Sequence, residues 1–253
     1  MLIAAVLAAL VGVTLGLLGG GGSILMLPIL VYVLHVPAAE AVTLSLMVVG
    51  TTSAVAVVPH TRAGRVMWRA GLLFGAAGMA GALLGGRMSR QLPAKAILVA
   101  FAALMLVTAY KMLRGKPASY EGAARVTQAP LALTLGVLVG IVSGLVGAGG
   151  GFLVVPTLML FGGLPLPRAI GTSLVVITMQ SLAGAAIHLA HERVNLCLAL
   201  GATLAAVLGS LLGAALSPHA SQNTLRRGFA WLIVALACFM LGMEFLRPLL
   251  EKR

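Results

Sequence analysis

Hydroxyl, amide and imidazole side chains recur in this chain at one fixed interval. Ser45, Ser53 and His60 are followed 128 residues later by Ser173, Ser181 and His188, and Thr52 is followed by Gln180. Ser45, Thr52, Ser53 and His60 are spaced by seven or eight residues, which places them within one helical face roughly 100° wide. Thr43 and Thr172 add hydroxyls near the starts of the same two segments. Such groups donate to sulfonate or carboxylate oxygens without burying a charge. They also hold membrane helices together, at about 0.6 kcal/mol each. For any one residue the two roles weigh equally, and the repetition on one face favours a substrate path. His60 and His188 stand just before the matched Arg65 and Arg193. An imidazole there titrates near neutral pH and serves as a proton or anion relay, or else as a polar residue beside headgroups.

A second constellation is glycine. Gly16 to Ser23 reads Gly-Leu-Leu-Gly-Gly-Gly-Gly-Ser and runs on to Pro28, while Gly144 to Gly151 reads Gly-Leu-Val-Gly-Ala-Gly-Gly-Gly and runs on to Pro156. Glycine holds a helix poorly, by about 1 kcal/mol against alanine. Unwound backbone at membrane depth survives only where protein or a polar cavity satisfies it. A helix restarting after each break presents free N–H groups and a partial positive charge, which bind anions without a cationic side chain. The residues expected at such ends are Gly21, Gly22 and Ser23, and Gly149, Gly150 and Gly151, with Pro28 and Pro156 as hinges. Close packing through small residues is the competing explanation, and it is preferred for Gly71, Gly75, Gly78, Gly81 and Gly85. No Gly-Lys-Ser/Thr follows either phrase, which excludes a nucleotide loop.

These residues need elements to carry them, and the composition says which. Sixty per cent of the 253 residues are hydrophobic and nine per cent are charged. Several apolar runs exceed the ~20 residues that cross a hydrocarbon core. The expected fold is all-α, a polytopic helical membrane protein in the inner (cytoplasmic) cell membrane with lipid as its surroundings. The formal net charge of +12 forms no patch that would suit nucleic acid; Arg and Lys sit at segment ends, as in Arg62, Arg65 and Arg69 or Lys111, Arg114 and Lys116. There is no Asp, and Glu40, Glu121, Glu192, Glu244 and Glu251 all lie at or near segment ends. A cation carrier normally places a carboxylate within the membrane, so the composition argues for an anion. Neither a metal nor a cofactor site is expected; Cys197 and Cys238 read as small core residues.

The offset of 128 extends across the chain. Between residues 16 and 89, 24 of 74 positions match, and co-registered Pro, His and Arg are beyond what two apolar segments share by chance. The expected organisation is a first transmembrane repeat at 1–113, a polar linker at 114–129 and a second repeat at 130–253. Each repeat opens with a glycine-broken helix pair, giving about 8–10 membrane segments in all. Short glycine-interrupted segments at corresponding positions favour inverted repeats over parallel ones. Positive residues place the 60–69 and 111–125 loops in the cytoplasm.

The paired Gly-x-x-Gly-x-Gly-Gly-x-x-x-x-x-Pro phrases, each followed by Ala-x-x-x-Ser-Leu at Ala41 to Leu46 and Ala169 to Leu174, resemble the sulfite exporter TauE/SafE family, also described as the toluene sulfonate uptake permease group. The resemblance covers nearly the whole chain. The first copy departs from the commoner pattern, with Thr43-Leu44-Ser45 where the second has Gly171-Thr172-Ser173. The resemblance implies an integral membrane carrier of seven to nine spans for sulfite, sulfonates, sulfoacetate and related anions, in either direction.

The function expected is therefore a secondary transporter moving a small anion by alternating access between the two repeats, with H⁺ or Na⁺ as coupling ion. An anion channel or a membrane subunit of a larger complex stays open. An intramembrane hydrolase would draw on Ser53 with His60 or Ser181 with His188, but lacks a nucleophile setting. The chain is expected not to be an enzyme, and it carries no signal for its oligomeric state.

Overall fold

The computed structural model of this protein describes residues 2–89, 94–114, 129–146, 151–189, 194–217 and 222–250. These residues form ten α-helices and short connections, with no strand among them. In the first half α1 (Leu2–Leu18) enters a 3₁₀ turn at Gly19–Gly22, continues as α2 (Ser23–Pro28) and widens into a π turn at Ile29–Val33. α3 (Ala38–Arg62), α4 (Trp68–Ser89) and α5 (Ala94–Arg114) follow. The second half comprises α6 (Ala129–Val146), α7 (Gly151–Leu160), α8 (Leu166–Leu189), α9 (Leu196–Leu216) and α10 (Gln222–Leu250). Residues 115–128, the body of the expected linker, lie outside the described residues.

Glu40–Arg62, Leu166–Leu189 and Leu196–Leu216 are each long and apolar enough to cross a hydrocarbon core. α9 shows how such a helix distributes its side chains. Leu196, Leu200, Leu204, Leu208 and Leu212 recur every fourth residue and are all exposed, while Ala199, Ala202, Ala206, Gly209, Ser210 and Gly213 are buried. Large apolar groups face outward, where lipid is as good a solvent as protein, and small ones allow close backbone approach within. Cys197 and Cys238 are also exposed, contrary to their reading as core residues. Both sit among apolar neighbours on outward faces, where a thiol is tolerated as readily as in a core.

Small residues set which helices touch. A methyl group built on Gly12 would overlap the carbonyl of Ala206, and one on Gly16 that of Ser210, so α1 runs parallel to α9. The same holds for Gly140 on Gly78 and Gly144 on Ala82, so α6 runs parallel to α4. Every partner in the second set lies 128 residues from its counterpart in the first. Gly81 on Val137 and Gly209 on Ala9 make another such pair, as do Gly85 on Ile141 and Gly213 on Val13. Gly81 and Gly85 thus pack helix on helix, as their sequence setting implied.

At the centre α3 packs on α8. Gly50 lies against Ser181 and Leu182 while Gly184 lies against Leu46, so this pair is antiparallel. α3 also packs on α9, α8 on α4, and α5 on α10.

The entries into α3 and α8 share one geometry. Val36 N–H donates to Leu30 O at 2.9 Å and Leu164 N–H to Leu158 O at 3.0 Å, then Pro37 and Pro165 accept from Ala41 and Ala169. Both turns need a left-handed residue, supplied by Gly163 (φ 68°) in one and by His35 (φ 52°) in the other. That conformation costs a non-glycine residue about 1–2 kcal/mol.

The glycine run differs from its sequence expectation. Gly19–Gly22 is not unwound but wound tightly as a 3₁₀ turn, because four residues without side chains avoid the eclipsing that limits such turns. The break is made by Gly19 alone, at φ 70°. Gly21, Gly22 and Ser23 fall inside the helical run that follows, and its open end is at Gly19. Gly22 then folds back against Val11 and Leu15 of α1.

Candidate functional site

α3 and α8 carry the predicted polar residues to the middle of the molecule. Thr52, Ser53 and Ser181 are at most 1% exposed, and the carboxamide nitrogen and oxygen of Gln180 are likewise buried. None of these side-chain polar atoms has a hydrogen-bond partner in the protein. Leaving a buried donor unpaired costs about 1–3 kcal/mol, so this concentration on matched positions is what a ligand-binding interior would show. Together they offer three hydroxyl protons and the two amide protons of Gln180.

Ser45 and Ser173 occupy the same helices but are used differently. Ser45 donates to Val42 O and Ser173 to Ile170 O, both at 2.8 Å. Ser23 donates to Gly20 O at 2.7 Å. With those protons committed to carbonyls, all three hydroxyls turn lone pairs, not donors, toward their neighbours. Ser173 Oγ stands beside Gly19, and Ser23 Oγ beside Gly151, its own matched position at the start of α7. The first glycine turn thus packs against α7 and α8. Gly149 and Gly150 lie outside the described residues.

The expected hinges sit inside helices. Pro28 is the last residue of α2 before the π turn, and Pro156 lies within α7. Each removes an amide from its helix, which lowers the cost of bending there.

The histidines part company. His60 is 2% exposed, and its Nε2 lies 3.3 Å from Gly16 O at the end of α1, while Nδ1 has no partner. His188 is exposed at the end of α8. The match in sequence is therefore not a match in environment, and among the described residues neither imidazole is hydrogen-bonded to a serine as a hydrolase base would be.

Thr43 and Thr172 are both fully buried. Thr172 Oγ1 accepts from Met67 N–H at 3.1 Å, tying the α3–α4 connection to α8. At the opposite end Glu40 Oε1 accepts from Asn195 N–H at 2.9 Å, tying the start of α9 to α3. Met67 and Asn195 are matched positions, so one amide is held by a hydroxyl and its counterpart by a carboxylate. Arg65 Nη1 adds a bond to Ser217 Oγ at 3.2 Å. Sequence matching alone does not find these ties, because the residues that make them differ between the halves.

Among the described residues no three His, Cys, Asp or Glu side chains come together as a metal site. A groove of about 540 Å³ between Val55, Val58, Pro59, Arg62, Ala63 and Leu211 contains none of the predicted site residues.

A helical membrane chain with neutral donors buried at matched positions has the makings of a transporter, and comparison with known proteins decides the family. The sulfite exporter TauE/SafE family profile matches residues 4–240. The chain belongs to the TauE/SafE family. A "probable membrane transporter protein" of Xylella fastidiosa strain Temecula1 is 32% identical over 238 residues, covering 92% of this chain and 91% of that one. The Bacillus subtilis "probable membrane transporter protein YunE" is 26% identical, covering 92% and 94%. A relative of the same description in Methanocaldococcus jannaschii is 26% identical, with 92% of each chain covered. No solved structure matches the chain significantly. This TauE/SafE protein is thus a multi-pass membrane transporter and not an enzyme.

Proposed function

We propose that this chain is a secondary carrier for a small anion of the oxidised-sulfur class, meaning sulfite, a sulfonate or sulfoacetate. The anion binds between two inverted repeats in the inner membrane and crosses by alternating access. The observation that carries the reading is the set of buried, unpartnered donors at matched positions, Thr52 with Gln180 and Ser53 with Ser181. Neutral O–H and N–H groups suit an anion whose charge is spread over several oxygens, since they stabilise it without a second buried charge. The family description supports the sulfur oxyanion. Antiparallel packing of α3 on α8, and helix contacts that recur at an offset of 128, support the inverted repeats.

Alternating access in this reading is a rocking of one repeat against the other about Pro28 and Pro156. The Thr172–Met67 and Glu40–Asn195 ties lie at opposite ends of the central pair, where they break and form in turn. Proton coupling runs through the substrate or His60; Na⁺ coupling through backbone carbonyls is the other arm of the test. The test is flux in proteoliposomes with sulfite, sulfoacetate, taurine, thiosulfate and chloride under imposed pH and Na⁺ gradients. Saturable exchange with counterflow is expected for a sulfur oxyanion. Unitary currents would make the protein a channel, and flux of none of the five would remove the anion reading.

A further inference from the structure

The two halves of the donor cluster are not chemically equal, and the difference lies in what each polar side chain rests against. The carboxamide of Gln180 occupies the space a methyl group on Gly78 would fill, with its Cδ 3.3 Å from that point and Gly136 O 3.5 Å from it. Gln180 therefore extends from α8 across to the crossing of α4 and α6. It fits there only because residue 78 has no side chain. In the other half the positions matched to Gln180 and Gly78 are Thr52 and Ala206. Ala206 stands in the equivalent crossing: Gly12 meets its carbonyl as Gly140 meets that of Gly78. A long side chain seated on glycine in one half is thus matched in sequence by a short side chain and an alanine in the other. Close-packed interiors impose that kind of compensation.

We propose that Gln180, seated on Gly78, is the specificity-determining element of the anion site, and that Gly78 is its positioning residue. The proposal rests on the anion-site reading above and adds an asymmetry to it. The carboxamide brings two N–H donors that diverge in one plane, so an anion with several acceptor oxygens can engage both where a single spherical halide lines up with only one. Thr52, at the position matched to Gln180, brings one hydroxyl proton. Oxyanion selection over chloride therefore resides in the Gln180 half, although the fold is nearly the same in both. The carboxamide is unpaired in the protein at a buried site, which is the condition under which loss of the matching ligand group is most strongly discriminated.

The decisive variants transplant one half's pair into the other. Gly78→Ala places a methyl group where the amide stands and displaces Gln180. Gly78→Ala with Gln180→Thr reproduces the Thr and Ala that the other half carries at the matched positions, so it keeps the fold where the single variant is at risk. Both are expected to raise KM for the transported sulfur oxyanion by about tenfold or more, the loss expected for hydrogen bonds to a charged ligand. The maximal rate should change far less, and competition by chloride should strengthen. Gln180→Asn at native Gly78 should lie between. If the wild type carries the oxyanion and Ser53→Ala impairs it, yet Gly78→Ala/Gln180→Thr keeps the wild-type KM and chloride sensitivity, the asymmetry is wrong while the anion site stands. If Ser53→Ala has no effect either, the site itself is misplaced.

Discussion

Replacing Ser53 and Ser181 by alanine separates a substrate site from helix glue, because the two roles give opposite signs. Both hydroxyls are buried to at least 99% and have no protein partner. In the empty protein each is an unpaired donor, whose burial costs about 1–3 kcal/mol. Alanine removes that cost and about one atom of packing. Each single variant should then be as stable as the wild type or more stable by about 1 kcal/mol. Glue predicts a loss of about 0.6 kcal/mol per residue. Transport should move the other way. One hydrogen bond lost to a charged ligand is worth about 1.5–3 kcal/mol, or roughly a 10- to 150-fold rise in KM at 1.4 kcal/mol per decade. The assay pairs thermal unfolding in detergent, with and without substrate, with initial flux rates in proteoliposomes. Stabilisation by substrate should shrink in the variants even where the empty protein melts higher. Ser53→Ala or Ser181→Ala unfolding at lower temperature with unaltered KM would refute the site and leave these serines as structural bonds. The double variant closes a thermodynamic cycle and reports whether one anion contacts both.

Glycine at the helix crossings and glycine facing outward should respond oppositely. Gly209→Ala drives a methyl group into the backbone of Ala9 and should cost about 1–3 kcal/mol, whereas Gly228→Ala meets nothing within 4 Å and should raise stability by up to about 1 kcal/mol; thermal unfolding of the two single variants checks this. His60→Ala removes a buried bond to the end of α1 and should lower both stability, by about 1 kcal/mol, and flux. His188→Ala, on an exposed end, should change either by little, and equal effects of the two would contradict their unequal settings.

Much of the fold was legible because lipid imposes simple rules. Apolar length marked the helices, and the observed ends of α3, α4, α8 and α9 fall within a few residues of the apolar runs. The register of 128 residues also carried over into space, down to which glycine meets which carbonyl. The candidate site was legible in part. Thr52, Ser53, Gln180 and Ser181 could be picked out as polar residues on matched faces of apolar segments. Their lack of partners could not, since pairing is decided by helices more than a hundred residues away. Ser45, identical in spacing and type, turned out to spend its proton on Val42. Gly78 was indistinguishable from Gly81 and Gly85 in a run of small residues, and only its contact with Gln180 sets it apart.

By itself the sequence determined that this chain folds as helices in a membrane, that residues of its two halves match at an offset of 128, and that it has no Asp and five Glu at or near the ends of apolar runs. Periodicity, hydropathy and composition are local properties, and the bilayer turns them directly into elements. Tertiary structure alone decided that α1 lies on α9 and α6 on α4, that His60 is buried while His188 is not, and that Gln180 rests on Gly78. Those outcomes depend on which small residues let two backbones approach, and such contacts form between segments the chain keeps far apart.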